Sequence, residues 1–164
     1  SSNQSGEVHP GMSYTFNVEK FTDTYLELEP LYRQHYKEMT GRLGEAGVHY
    51  SPYNPRLDEY GKASDGGWLL NFVLRVDGVA CGYANVYVTN DMHNHDCIAQ
   101  EDTLFVVKEH RNGVGKKLVA FVLEELKRRG VKRLNVSAMT DLRVAKLWKR
   151  MGFKETATQM TYEF

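Results

Sequence analysis

Residues 104–118 read LFVVKEHRNGVGKKL. An apolar run suited to a covered strand enters a basic turn with two glycines, and the turn opens an amphipathic stretch. Unpaired N–H groups at a helix start favour an anion. Gly113 and Gly115 remove side chains that would block approach to the backbone, and Arg111, Lys116 and Lys117 add positive charge. The combination is a candidate pyrophosphate cradle. Its plain alternative is a tight turn with solvated basic residues. Two other phosphate-binding readings fail. A nucleotide-binding P-loop needs Gly-Lys-Ser/Thr, whereas Gly115-Lys116 is followed by Lys117. A dinucleotide fold expects its glycine turn after the first strand of a βαβ unit, and this turn lies in the second half of the chain.

A second cluster has metal-ligand types. His93, His95 and Cys97 alternate, which would put them in phase on one side of a strand. No fourth ligand is identifiable, and no metal is expected. His95 is retained as a candidate on the acceptor side of a site.

The elements that must position the glycine turn follow from periodicity. Residues 14–18 alternate as a first strand. Tyr25, Leu26, Leu31, Tyr32 and Tyr36 give helical spacing to about Met39, with Pro30 expected to kink or divide it. Residues 41–66 are rich in glycine and read as loop, with a short helix near 55–60 opened by Pro55. Residues 68–76 form a strand, Asp77-Gly78 is a hairpin signal, and residues 79–89 are its partner, with Gly82 a bulge or close-approach point. Residues 97–107 form a further strand, apolar from Leu104 onward. Gly113 to Arg129 is the clearest helix, with Leu118, Val119, Val122, Leu123 and Leu126 as its stripe and Gly130 as its end. A strand over 131–136, a helix over 141–151 and a final strand over 156–164 complete an α/β domain with a mixed sheet.

The chain has 164 residues, enough for one domain, and a formal net charge of +0. That balance differs from strongly basic nucleic-acid binders. Arg128, Arg129, Lys132 and Arg133 form only a local basic group. Cys81 and Cys97 stand alone, without a CxxC pair, and read as free thiols of a cytoplasmic protein. No apolar stretch approaches a membrane span. Residues 1–11 lack periodicity. They read as a remnant of recombinant expression before a natural start at Met12, or as a short disordered arm, outside the fold in either case.

From Met12 to Phe164, and most strongly from Asp102 to Phe153, the chain resembles the GCN5-related N-acetyltransferase superfamily. Members carry Arg/Gln-x-x-Gly-x-Gly/Ala after a central strand. Here residues 109–115 read Glu-His-Arg-Asn-Gly-Val-Gly, with Gly113 two residues after Arg111 rather than three. Members also carry Asn-x-x-Ala-x-x-x-Tyr and then Gly-Phe. Here Asp141, Val144 and Trp148 stand where Asn, Ala and Tyr are usual, and Gly152-Phe153 follows. The resemblance implies a single-domain acyl-CoA N-acyltransferase fold, acetyl-CoA as cosubstrate and an amine acceptor, with room for a homodimer. It places the coenzyme against Leu104, Val106, Val107, Arg111, Asn112, Gly113, Val114, Gly115, Lys116, Asp141 and Trp148. An N–H near Val106 would meet the thioester oxygen, and the strand would splay from its neighbour to admit the pantetheine arm. The tyrosine that often protonates the coenzyme thiolate is replaced by Trp148, whose indole only donates a hydrogen bond.

An attacking amine must first lose a proton. In the family a carboxylate at the start of the central strand often takes it. Counting back from Arg111 selects Asp102, and counting back from Gly113 selects Glu101. Neighbouring strand residues face opposite sides, so one of the pair should face the acceptor, and Asp102 is preferred. Tyr32, His35, Tyr36 and Tyr87 are candidates for the acceptor wall. So is the segment Gly41–Gly67, whose Arg42, Glu45, His49, Tyr50, Tyr53, Arg56, Asp58, Glu59 and Tyr60 have mixed signs. Mixed signs suit an amino-acid-like or peptide amine better than a polyamine. The competing class is a non-catalytic acyl-CoA-binding module, supported by Trp148.

Overall fold

A computed structural model describes residues 4–6, 11–111, 113–138 and 142–164, with the side chains of 4–6 and 142 left out. Six strands make one sheet in chain order: β1 (Gln4–Gly6), β2 (Tyr14–Glu19), β3 (Leu69–Val76), β4 (Val79–Asn90), β5 (Cys97–Val106) and β6 (Arg133–Asn135). Every neighbouring pair is antiparallel except β5 and β6, which are parallel. The helices are α1 (Phe21–Glu45), α2 (Leu57–Asp65), α3 (Val114–Arg128) and α4 (Leu142–Arg150). The expected single α/β domain with a mixed, mostly antiparallel sheet is what forms.

Both faces of the sheet are covered, so β3 is buried almost throughout rather than on alternate residues. On one face Phe21, Leu28 and Tyr32 of α1 meet Val73, Tyr83 and Phe105. On the other Leu118, Phe121 and Val122 of α3 meet Phe16, Phe72 and Val86. The hairpin at Asp77-Gly78 has positive φ at both residues, 49° and 86°, the geometry of a type I′ turn. Gly82 is a close-approach point: a Cβ there would lie 2.9 Å from the Phe105 carbonyl oxygen, and the neighbouring Cys81 is the extra residue of a bulge against β3. Gly130, at φ 83°, closes α3 as expected.

Four expectations change. Residues 4–6, expected outside the fold, pair with β2 and extend the sheet as β1. Pro30 does not divide α1, because it lies on the solvent face while Phe21, Thr24, Leu28 and Tyr32 form a continuous buried stripe. The helix runs on to Glu45, taking up the start of the expected loop, and the second helix begins at Leu57 and reaches Asp65. Residues 156–164 form no strand. Their Met160, Tyr162 and Phe164 would share one side of a strand, but all three are exposed. The tail is held instead by Glu163, which accepts hydrogen bonds from the His49 N–H and ring. A strand requires a partner ladder, and β6, only three residues long, pairs with β5 alone.

Candidate active site

The β4–β5 register changes where the two carboxylates lie. Thr103 pairs with Asn85 and Glu101 with Val86, so Asp102 is the extra residue of a bulge. Glu101 follows Ala99 toward α3 and enters an apolar recess with Val119, Val122 and Trp148. Asp102 turns toward α2, where its Oδ2 accepts the Tyr60 hydroxyl at 3.4 Å. The pair faces opposite sides, as alternation predicts. The bulge allows Asp102 and Thr103 to share the α1 and α2 side. Burial raises the Glu101 carboxyl to about 7, opposed by the Ser137 N–H at 3.4 Å and reinforced by the Asp102 charge. Desolvation also raises the Asp102 carboxyl, while the Tyr60 hydrogen bond lowers it.

The parallel ladder between β5 and β6 covers only Ile98–Gln100 against Arg133–Asn135. Among the described residues, no strand pairs with the β6-side edge of residues 101–106. This is where the sequence places Leu104, Val106 and an opening for an extended arm. The β5 strand then leads through Val107 and a short 3-10 turn over Lys108–His110 into α3. Gly113, at φ 85°, is the N-cap of α3, with no side-chain cap and no acidic residue in the first turn. A Cβ at Gly113 would meet nothing within 4 Å, and one at Gly115 only Leu147 at 3.9 Å. Around Gly113 and Gly115 the start of α3 is open, with Lys116 and Lys117 exposed beside it, which fits a pyrophosphate.

Arg111 is placed differently from a cradle side chain. Its Nε donates to the Val106 carbonyl at 2.6 Å, its guanidinium pairs with Glu38 at 3.2 Å and lies over the Phe105 ring. It buttresses the strand end on the α1 side. Trp148 is buried, and its indole N–H donates to the Ser137 carbonyl at 3.0 Å, so that donor is occupied. Ser137 in turn donates its N–H to Glu101. Asn112 and Asp141 lie outside the described residues.

On the opposite face of the sheet a cavity of about 630 Å³ opens between α1, α2, the 51–56 segment and the mouths of β3 and β4. Tyr36, Tyr53, Tyr60, Trp68 and Tyr87 supply its rings, and Arg56 and Glu59 are its charged residues. Asp102 stands behind this wall, in contact through Tyr60. Tyr36 and Tyr87 are thus on the expected acceptor side. Tyr32 is core: it stacks on Phe21 and Tyr25 and donates to Asn71. His35 packs edge-on to Phe105, and burial lowers its basicity to about 4. Of the 41–67 segment, Tyr53, Arg56, Glu59 and Tyr60 line the cavity, while Arg42, Glu45, His49, Tyr50 and Asp58 do not. Trp68 was read only as the start of a strand. It is 48% exposed and stacks on Tyr87 at 5.8 Å. Its signal was a large aromatic residue directly after the Gly66-Gly67 break.

His93 and His95 sit in the β4–β5 turn, His93 bonded to Asp91, and no group of three metal-ligating side chains is assembled among the described residues. Cys81 and Cys97 are free thiols. Arg128, Arg129, Lys132 and Arg133 all have carboxylate partners: Arg128 and Arg129 meet the buried Glu125, Lys132 meets Asp96, and Arg133 meets Asp91 and Asp96. No helix among the described residues is long and apolar enough to cross a membrane.

Comparison with known proteins agrees with this fold. The model of the acetyltransferase (GNAT) family matches residues 26–153. Among solved structures, an aminoglycoside acetyltransferase from an uncultured soil metagenomic sample is 16% identical, with TM-score 0.72 over 96% of this chain and 99% of that one. A ribosomal-protein-alanine N-acetyltransferase from Brucella melitensis is 16% identical, with TM-score 0.67 over 91% and 99%. A GCN5-related N-acetyltransferase from Ralstonia eutropha is 21% identical, with TM-score 0.68 over 94% and 99%. At these identities the likeness is one of fold. A search of curated protein sequences returns no match.

Proposed function

The chain belongs to the acetyltransferase (GNAT) family, and from that premise we propose that it transfers an acetyl group from acetyl-CoA to a primary amine by direct attack. The observation that carries the reading is the interrupted sheet: the β5–β6 ladder ends at Gln100 and Asn135, beside two adjacent carboxylates that face opposite sides of β5. The open strand edge leads to the uncapped start of α3. Acetyl-CoA supplies an activated acetyl thioester. The N–H groups of Gly115 and Lys116 hold its pyrophosphate, with Lys116 adding charge.

Asp102 is the base, since it faces the side with room for an acceptor. It takes the amine proton through the Tyr60 hydroxyl, which accepts from the amine while donating to Asp102. Glu101 lies on the other face beside Trp148 and, with its carboxyl raised to about 7, holds a proton in part of the molecules at neutrality. It is the nearby group able to return a proton on the coenzyme side, a role the engaged Trp148 indole does not fill. The two free thiols suit a reducing compartment such as the cytoplasm.

Trp148 in the tyrosine position favours one alternative, an acyl-CoA-binding module without turnover. Calorimetry with acetyl-CoA, together with mass spectrometry for N-acetylated products across amine classes, separates the readings. Binding with product formation supports the enzyme. Tight binding with no product from any amine supports the module, and no binding removes both.

A further inference from the structure

The cavity beside Asp102 has too few carboxylates for a polycation and too little positive charge for an anion. We infer that it is an acceptor site for a small aromatic monoamine, whose ring lies among Trp68, Tyr87 and Tyr53 and whose amino group points to the hydroxyl of Tyr60. This rests on the acetyl-transfer reading only for what happens to the amine afterwards; the binding claim stands on the cavity.

Three observations carry it. The first is size. About 630 Å³ accommodates one small molecule. The second is the arrangement of rings. Trp68 and Tyr87 stack at 5.8 Å on one wall, and Tyr36 and Tyr53 lie 5.5 Å apart on the other. Such walls favour a flat apolar body, and their π-faces attract an ammonium group. The third is charge. The lining contains one carboxylate, Glu59, and one guanidinium, Arg56, which lie 3.8 Å apart and offset each other. A polyamine or aminoglycoside carries several ammonium groups and would leave all but one without a carboxylate. Beside Tyr53, Glu29 is paired with Arg33, whose guanidinium lies over the Tyr53 ring, which leaves Asp102, behind Tyr60, to set the amino end. This replaces the amino-acid or peptide preference drawn from the mixed charges of 41–67, because most of those charged residues lie elsewhere.

The test is calorimetric titration of the full chain with tyramine, spermidine and a short peptide of small residues with a free N-terminus. Tyramine is expected to bind saturably and at least tenfold more tightly than the other two. Trp68→Ala should weaken tyramine at least tenfold, and Trp68→Phe should restore most of the affinity. Trp68 is half in solvent, so the alanine variant should fold, which its circular dichroism spectrum verifies. Acetyl-CoA binding, measured on the same samples, should be unchanged in both variants. Tyramine binding without acetylation would support the site while refuting the transfer reading. Acetylation of spermidine or the peptide in preference to tyramine would overturn the inference and leave transfer intact. Absence of saturable tyramine binding, or an unchanged affinity in Trp68→Ala, would also overturn it.

Discussion

Two adjacent carboxylates divide the chemistry, and they can be separated by amide substitution. Asp102→Asn removes the proposed base while keeping its size. The expected result is a loss of about 10²- to 10⁴-fold in kcat, together with the acid limb of the pH profile. Asp102 is raised above the ordinary carboxylate value by desolvation, so the wild-type limb should lie above that of an ordinary aspartate. An unchanged profile would remove the role. Glu101→Gln should act on stability. The folded state holds the Glu101 proton up to about 7, against 4.5 for an ordinary glutamate. Its contribution is therefore complete below about 4.5 and is lost as pH rises through 7. The wild type should lose up to a few kcal/mol across that window and the amide variant should not, so the difference in Tm should favour the variant at pH 8 more than at pH 5. Equal differences at both would contradict this. The sequence left open which carboxylate faces the acceptor, because glycine spacing after the strand differed by one from the family pattern. The answer depends on the bulge at Asp102, and a bulge depends on strand register, which local residue types do not reveal.

The elements that position the site have different degrees of sequence signal. The α3 stripe, its glycine end and the Asp77-Gly78 turn are local patterns, and each forms where its residues predict. Helix α1 is different. Pro30 is a local breaker, but the buried stripe on the opposite side of the helix overrides it. The override has a cost, since Pro30 has no N–H for the Leu26 carbonyl and crowds the preceding turn. Pro30→Ala should therefore stabilise the protein by about 1–3 kcal/mol, read as a higher denaturation midpoint in urea with an unchanged slope. A lower midpoint would show that proline suits a bend that α1 needs. The last segment was misread for the converse reason. Met160, Tyr162 and Phe164 have strand periodicity, yet periodicity does not supply a neighbour to pair with.

For the whole molecule, the sheet separates the two proposed binding surfaces. The coenzyme side was legible because it depends on a compact sequence block, a strand followed by a glycine turn and a helix. The acceptor cavity was only partly legible, since its rings come from α1, the 51–56 segment, α2 and the mouths of β3 and β4, and the fold alone brings them together. The two surfaces meet at the bulge, so the account requires a single event linking them: transfer of an acetyl group across β5. The most direct measurement incubates the full chain with acetyl-CoA labelled in the acetyl carbon and with tyramine, then analyses the amine by mass spectrometry while titrating the released coenzyme thiol. The account predicts N-acetylated amine carrying the label, released thiol in equal amount, and loss of both with Asp102→Asn. Failure to bind acetyl-CoA, or coenzyme release without any labelled amide from any primary amine, would contradict it.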